Sequence, residues 1–431
     1  MTLLLLSFVV FLFLGMPIAF VIGIAGFAYF MSNPILPFEA AVQTIVIQSQ
    51  SFTFLAVPFF IFAGNLMNVS GITEQLLGLS RLLTRRMYGG TAQISVVMST
   101  LMGGVSGSAT ADAAMETRIL APEMMRRGYT KGYICSVNCL TALITATIPP
   151  SLGLIIFGFV GDVSIGRLFA AGIIPGILMM LFLMGTTTIT SRIRKFDPPA
   201  ADAPKLTLRE VLLNLKVSVW ALLFPIILIV GIRFGLFTPS ESGAFAVVYA
   251  IVVGKFIYKK LNWKNFKEAL ITTIKDNGAI MLIIAMSGPF SYAITWVKLP
   301  AMLSTFIFGI TENPQILTMI MLGFLFITGM FVDSNVNFLL LTPIFLPMVT
   351  SVGMDPVHFG VLMATIVTLG VMTPPIGSAL YTVCGIIGCP PEEYTKESLP
   401  FLLAILVELA ILVFCPKLVL FIPNMIFGVA G

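Results

Sequence analysis

Long apolar runs separated by short polar breaks fill most of the chain, which has 431 residues. The runs are continuous rather than alternating, which is typical of membrane-spanning helices and not of transmembrane β-barrel strands. The stretch 1–30 is too long and too poor in N-terminal charge for a cleaved signal peptide. We therefore expect a first transmembrane helix there, loosened by Gly15 and Pro17. The whole pattern predicts an all-α polytopic membrane protein with roughly a dozen membrane segments.

Two polar stretches interrupt the apolar pattern. The stretch 191–210 is rich in proline and mixed charge, and it predicts a polar cytoplasmic loop between a first half, 1–190, and a second half, 211–431. The stretch 255–275 places apolar residues at helical spacing beside lysines. That arrangement predicts a helix lying along the membrane interface.

Helix-breaking residues recur at one fixed offset between the two halves. The pairs are 225 residues apart and need no gap. The matched residues are Gly104 and Gly329, Pro122 and Pro347, Gly128 and Gly353, Pro149 and Pro374, Pro150 and Pro375, and Pro175 and Pro400. A single register of this kind predicts that the halves are structural repeats.

The basic residues indicate how the repeats are oriented. Residues 81–131 contain seven lysines and arginines, whereas the equivalent window 306–356 contains none. Basic residues mark the cytoplasmic side of short loops. The two repeats are therefore predicted to cross the membrane in opposite directions, as in many secondary transporters.

Each repeat is predicted to contain a re-entrant helical hairpin and a broken transmembrane helix. Basic residues flank the segment 90–114 on both sides, and its middle is too small and polar to cross lipid as an ordinary helix. The matching hairpin in the second half covers 316–347. Consecutive prolines remove backbone donors and free the preceding carbonyls, which predicts broken helices at 145–151 and 370–377.

Composition excludes most other classes of protein. Hydrophobic residues make up 58% of the chain and charged residues only 10%, with a mean hydropathy of +1.03. A soluble globular chain carries roughly 25% charged residues. A soluble enzyme, a nucleic-acid binder and a disordered protein are thereby excluded. We also expect no enzyme activity, because no P-loop lysine motif and no convergent acid, base and nucleophile are found.

Metal-ligating residue types are scarce. The single histidine, His358, falls on an outer loop by this topology. The five cysteines lie in apolar surroundings and are expected to pack, so we predict no transition-metal site. They are Cys135, Cys139, Cys384, Cys389 and Cys415.

The hairpin tips and helix breaks carry the candidate chemistry. Hydroxyls and freed carbonyls near a break are suitable oxygen ligands for a desolvated alkali cation, and half-helix N-termini present positive dipole ends to an anion. Asp333 lies in an apolar run, where an ionisable group indicates a functional site; a proton-coupled mechanism would make it the titrating group. Asp112 and Glu116, close to Arg118, are expected to be solvated or ion-paired. The role of Glu408, inside another apolar run, is left open.

Six short strings, spread over almost the whole chain, carry a family resemblance. They are VPFFIFAGNLM at 57–67, GGVSGSATADAA at 103–114, PEMMRRGY at 122–129, TATIPPS at 145–151, FTPSESGAFAVVYA at 237–250 and TPPIG at 373–377. With these strings the chain resembles the large membrane subunit of tripartite ATP-independent periplasmic (TRAP) transporters, within the ion-transporter superfamily. The resemblance implies an elevator-type fold, in which a transport domain moves against a scaffold.

The resemblance also implies two sodium sites, in which main-chain carbonyls serve wherever the side chain has no oxygen. The first site would use Ser106, Ser108, Thr145, Ile148 and Pro150. The second site would use Gly329, Asp333, Gly370, Thr373 and Pro375. The leading hypothesis places the substrate between the two tips, with candidate ligands Ser108, Thr110, Ser151, Asp333 and Asn335.

The function implied by the resemblance is sodium-driven import of a small organic acid in the bacterial inner membrane. A small four-helix membrane subunit and a soluble periplasmic substrate-binding protein would be the partners. Family substrates are mainly sialic acids and C4-dicarboxylates, with sialic acid slightly favoured here. The alternatives are a stand-alone sodium- or proton-coupled carboxylate transporter of the same superfamily, a passive channel and a membrane-embedded enzyme.

Overall fold

The structure is a computed structural model that describes residues 2–50, 55–199, 207–309 and 313–428. Helices and their connecting turns account for these residues, and no β-strand occurs among them. The part of the predicted polar loop at 200–206 lies outside the described residues.

Eleven helices lie before the central loop in the described part of the chain. They are α1 Thr2–Phe13, α2 Ile18–Ser32, α3 Phe38–Gln50, α4 Ala56–Val69, α5 Ile72–Thr84, α6 Gly90–Gly103, α7 Ala109–Arg126, α8 Lys131–Thr141, α9 Leu143–Thr147, α10 Leu152–Val160 and α11 Ile165–Arg194.

The remaining ten described helices follow the loop. They are α12 Leu208–Arg233, α13 Pro239–Val252, α14 Trp263–Trp296, α15 Leu299–Phe308, α16 Pro314–Phe331, α17 Ser334–Ser351, α18 Pro356–Val371, α19 Ser378–Ile387, α20 Pro391–Phe414 and α21 Pro416–Phe427. A π-helical turn, Val253–Ile257, follows α13.

The second half repeats the first at the offset that the helix breakers predicted. Helices α7 and α17 begin and end at matching residues, and α8 and α18 begin at matching residues. The glycines that end α7 and α17, Gly128 and Gly353, have φ of 84° and 78°, a left-handed conformation that favours glycine. The predicted fold class, an all-α polytopic protein with inverted repeats, is confirmed.

Helix length and composition fit a membrane protein. Seven helices of the described chain are long and apolar enough to cross a bilayer, and up to nine spans result if each bent pair counts as one. One bent pair joins α4 to α5 at 64°, and the other joins 131–147 to α10 at 44°. The second bend coincides with the predicted break at 145–151.

The helices form two groups. The scaffold group, α1–α4 and α12–α14, is held together mainly by α14, which packs against α2, α3 and α4. The hairpin group, α6–α11 and α16–α21, contains the two hairpins, α6–α7 and α16–α17, and the broken helices. Helices α5 and α15, at matching positions in the repeats, contact both groups.

Three predicted boundaries need correction. The N-terminal stretch forms two helices that pack on each other, because the segment at Gly15 and Pro17 ends the first one completely. The predicted interfacial helix at 255–275 is the π-helical turn, a short connection and the start of α14. The central loop is shorter than 191–210, because α11 continues to Arg194 and α12 begins at Leu208.

Candidate functional site

The tip of the first hairpin touches the break in the first broken helix. The Leu152 N–H donates to the Gly107 carbonyl at 3.4 Å. Gly107 has a φ of +65°, and a Cβ added there would collide with the Pro150 carbonyl oxygen. A Cβ at Gly103 would lie 2.7 Å from Cβ of Ile148. The glycines of the tip therefore allow the two backbone breaks to meet.

The second hairpin meets its own break in a similar way. A Cβ at Gly370 would lie 2.6 Å from the carbonyl carbon of Gly329, so the two backbones are in direct contact. Asp333 caps α17, and its Oδ1 accepts from the Asn335 N–H at 2.9 Å. The Thr373 hydroxyl donates to the Leu369 carbonyl at 2.5 Å. Glycine and proline thus position the candidate ligands in both halves.

A cavity of about 140 Å³ lies between the two tips. Its wall is made by residues from α7, α9, α10, α17 and α18 and from the turns before α7, α10 and α17. The polar residues that line it are Ser108, Thr110, Ser151, Asp333, Ser334, Asn335 and Thr368. All five residues that the sequence predicted to bind substrate therefore line one cavity.

Three helix N-termini converge on this cavity. The first residues of α7, α10 and α17 contribute to its wall, and the N-terminal end of a helix carries partial positive charge. Asp333 is the one ionisable residue among the described lining residues. An anion here would be held by helix termini, hydroxyls and amides rather than by an ion pair.

A second cavity, of about 430 Å³, lies between the tips and the scaffold group. It shares Ser108, Thr110, Leu152 and Asn335 with the first cavity. On the scaffold side it is lined by Asn65 and Asp276, which are joined by a hydrogen bond from Asn65 Nδ2 at 3.3 Å. The space between the tips therefore opens toward the scaffold.

Two candidate ligands of the first sodium site, Ser106 and Ser108, lie beside the carboxylate of Asp112, for which the sequence predicted a different role. The Ser108 N–H donates to Ser106 Oγ at 3.4 Å, and the Ser106 hydroxyl donates to Asp112 Oδ2. Asp112 is fully buried, and its Oδ1 has no hydrogen-bond partner among the described residues. The expectation that Asp112 is solvated or ion-paired is wrong.

Glu116, one turn further along α7, is also fully buried rather than solvated. Its two carboxylate oxygens accept hydrogen bonds from Ser95 at 2.6 Å and from Ser99 at 2.8 Å. Ser95 also lies 2.8 Å from the Thr141 hydroxyl of α8. This polar cluster joins both arms of the first hairpin to the broken helix.

Two other ionisable residues are buried away from the cavity. His358 is in the first turn of α18, and its Nε2 lies 2.9 Å from the Leu412 carbonyl oxygen. The prediction that it lies on an outer loop is wrong, because the helix already begins at Pro356. Glu408 of α20 is buried, and neither carboxylate oxygen has a partner among the described residues.

Comparison with known proteins connects this architecture to one family. The profile described as tripartite ATP-independent periplasmic transporter, DctM component, matches residues 5–418. The chain belongs to the TRAP transporter large permease family. TRAP permeases are transporters, which agrees with the two hairpins and the cavity between them.

Two curated TRAP permeases are similar over most of their length. The chain is 33% identical over 417 residues to the sialic acid TRAP transporter large permease protein SiaM of Vibrio cholerae, with 97% of each chain covered. It is 31% identical over 376 residues to the C4-dicarboxylate TRAP transporter large permease protein DctM of Pseudomonas aeruginosa, with 87% of each covered. The two identities do not separate the two named substrates.

A solved structure is similar in fold to this TRAP permease. The YdaH transporter of Alcanivorax borkumensis aligns with a TM-score of 0.65 and covers 96% of this chain and 98% of its own. The sequences are 15% identical, so the likeness concerns the fold alone.

Proposed function

We propose that the chain is the large membrane subunit of a sodium-coupled importer of a small organic acid in the bacterial inner membrane. A small four-helix membrane subunit and a soluble periplasmic binding protein complete the assembly. The binding protein delivers the substrate, and the sodium gradient drives its import. The proposal includes no enzymatic step.

The cavity between the tips carries this proposal. Three helix N-termini, Ser108, Thr110 and Asn335 surround a space in which only Asp333 is ionisable among the described lining residues. Helix N-termini bind anions because their N–H groups point outward and their dipoles favour negative charge. Such a site suits one carboxylate together with hydroxyl groups on the same molecule.

The carboxylates beside the tips support coupling to cations. Asp333 would supply the charge of the second sodium site and, in addition to the predicted ligands, Asp112 would supply that of the first. Asp112 is fully buried without a counter-charge, which costs several kcal/mol, and a bound cation would remove that cost. Sodium is the proposed cation, and coupling to protons through Asp333 is the alternative that the test must exclude.

The contact between the two helix groups supports an elevator movement. A Cβ at Gly64 of α4 would lie 2.9 Å from the Ser106 carbonyl oxygen, and one at Gly104 would lie 2.7 Å from Cγ of Pro225. Small residues at such contacts let one surface move past another without interlocked side chains. In this mechanism the hairpin group carries substrate and sodium across the membrane against the scaffold group.

The lining residues favour one substrate class. Neither cavity is lined by lysine or arginine among the described residues, so a second carboxylate would lack a counter-charge. Hydroxyl and amide side chains suit a polyhydroxylated monocarboxylate. We therefore propose a sialic acid as the first substrate to test, with a C4-dicarboxylate as the alternative.

The decisive experiment is uptake into proteoliposomes that contain this chain and its small membrane subunit, with the binding protein outside. Labelled sialic acid should accumulate above its external concentration only with an inward sodium gradient. Accumulation driven by protons alone would reject sodium coupling, and mere equilibration would indicate a channel. Uptake without the binding protein or the small subunit would favour a stand-alone carboxylate transporter.

A further inference from the structure

Three of the five cysteines meet at one point in the hairpin group. Cys135 lies on α8, Cys384 lies on α19 and Cys389 lies just beyond α19. Their three sulfur atoms all lie within 4.8 Å of one another, and all three residues are buried. The cluster could not be predicted from the sequence, because Cys135 belongs to the first half of the chain and the other two cysteines belong to the second.

Local backbone geometry brings Cys389 back to Cys384. Gly388, with a φ of +61°, ends α19 in the left-handed conformation. The Cys389 N–H then donates to the Cys384 carbonyl at 2.9 Å, which turns the chain back over the end of the helix. This position lies outside the helix, so Cys389 is the ligand that can adjust most easily.

We infer that Cys135, Cys384 and Cys389 form a binding site for a thiophilic divalent cation of the zinc class. Zinc–sulfur bonds of about 2.3 Å around a tetrahedral ion place the sulfur atoms about 3.8 Å apart. The observed cluster therefore needs to contract by less than about 1 Å, which side-chain rotation can supply. Packing alone does not require three sulfur atoms from three separate chain positions to converge.

The net charge of the bound site favours a divalent ion over a monovalent one. Binding replaces three thiol protons, which leave to solvent, with one cation, so a dication and three thiolates carry a single negative charge. Lys131, whose Nζ lies 3.3 Å from the Gly388 carbonyl oxygen, supplies a compensating positive charge beside the site. A monovalent ion such as Cu(I) would leave two negative charges in a buried place.

The fourth coordination position of the ion is left for a water molecule or for the carboxylate of Glu393, at the start of α20. A Cβ at Gly132, one turn before Cys135, would lie 3.0 Å from Cβ of Glu393, so the two chain segments are in contact. A metal ion here would tie α8 of the first repeat to α19 of the second. The metal ion would also fix α19, which begins just after the second proline break at Pro374 and Pro375. The inference is independent of the transported substrate and of sodium coupling.

The test uses the purified full-length chain in detergent, with Zn²⁺ alone as the probe. After removal of free metal, mass spectrometry of the metal content should show one zinc per chain. Co²⁺ in its place should give the near-ultraviolet absorption of cobalt–thiolate bonds. Cys135→Ser, Cys384→Ser and Cys389→Ser should each weaken zinc affinity at least about tenfold. Cys139→Ser, on the same helix one turn away, and Cys415→Ser should leave it unchanged.

A second measurement uses only the unaltered chain, so the inference can be tested even if the serine variants do not fold. In the unaltered chain, Zn²⁺ should slow alkylation of Cys135, Cys384 and Cys389 relative to Cys415, as read by peptide mass spectrometry. Equal alkylation of all cysteines with and without Zn²⁺ would overturn the inference. A disulfide formed within the cluster in place of metal uptake would overturn it too.

Discussion

The Ser106 hydroxyl, in the tip of the first hairpin, donates a hydrogen bond to the carboxylate of Asp112, which lies one turn into α7. The repeat partner of Asp112 is Asn337, whose side chain donates to the Val332 carbonyl at 2.9 Å. The repeat partner of Asp333 is Ser108. Each repeat therefore holds one carboxylate beside its tip, but at different positions, and each proposed sodium site has one formal charge.

Asp112→Asn should weaken the apparent sodium affinity at least about tenfold, because a charged ligand is replaced by a neutral one of the same size. Sodium should stabilise the purified chain against heat, relative to potassium, and the sodium concentration at half-maximal stabilisation gives the affinity. Glu116→Gln is the matched control, since Glu116 lies on the same helix and is bonded to serine hydroxyls.

The two failures of this experiment have different meanings. An unaltered chain that responds equally to sodium and potassium would reject the proposed sodium coupling itself. A sodium response that is normal in Asp112→Asn would reject only the role of Asp112.

Gly107→Ala should abolish uptake and destabilise the fold, because the new Cβ meets the Pro150 carbonyl and alanine disfavours a φ of +65°. Gly128→Ala separates these two causes. Gly128 has a φ of +84°, and nothing lies within 4 Å of an added Cβ. Gly128→Ala should therefore lose only about 1–2 kcal/mol of stability, which is the cost of placing alanine in the left-handed conformation, and it should retain uptake. Equal losses of thermal stability in the two variants would show that the contact with Pro150 has no effect.

The hairpins and breaks could be predicted because glycine and proline act locally. Gly107 and Pro150 determine backbone conformation whatever surrounds them, and the repeat offset singled out Pro150, which matches Pro375, but not Gly107. His358 was misplaced although a local signal existed. Asp355 followed by Pro356 is an N-cap and first-turn pair, and the Asp355 side chain accepts from the Val357 N–H at 2.7 Å.

The buried carboxylates were misassigned because spacing along the helix was neglected. Arg118 lies two residues from Glu116 and so falls on a different face of α7, where it is exposed. Asp112 and Glu116, four residues apart, share a face, as do Ser95 and Ser99 on the opposing arm. The sequence therefore did contain a signal for a buried polar cluster: one pair of polar residues at this four-residue spacing on each arm of the hairpin. The cysteine cluster had none, since it depends on packing between the halves.

Asp197 should make stability depend on pH at the end of the first hairpin. Its carboxylate accepts from the Thr91 N–H at 2.9 Å and from Arg127 at 2.7 Å. Burial alone would raise the pKa of Asp197, but these hydrogen bonds and the arginine charge outweigh it and lower the pKa below the ordinary value of 3.8. The stabilisation is therefore complete above pH 3.8 and is lost as the pH falls through the lowered pKa.

Asp197→Asn tests this dependence cleanly, because asparagine tolerates the left-handed φ of 41° found here. At neutral pH it should reduce the free energy of unfolding by about 1–2 kcal/mol, and the difference from the unaltered chain should shrink in acid. Thermal unfolding at a series of pH values measures both. A difference that stays constant into acid would show that the Asp197 charge does not stabilise the fold.

Gly64→Leu should impede the movement of the hairpin group past α4 without replacing any proposed sodium or substrate ligand. The leucine would meet the Ser106 carbonyl, and overpacking of about 1–3 kcal/mol would bias the protein against this conformation by about 5- to 150-fold. Uptake should fall accordingly, whereas stabilisation by sodium should persist. Gly78→Leu on α5 is the control, since nothing lies within 4 Å of its added Cβ. Normal uptake by Gly64→Leu would argue against the sliding contact, because the tip could not then pass α4 at this distance.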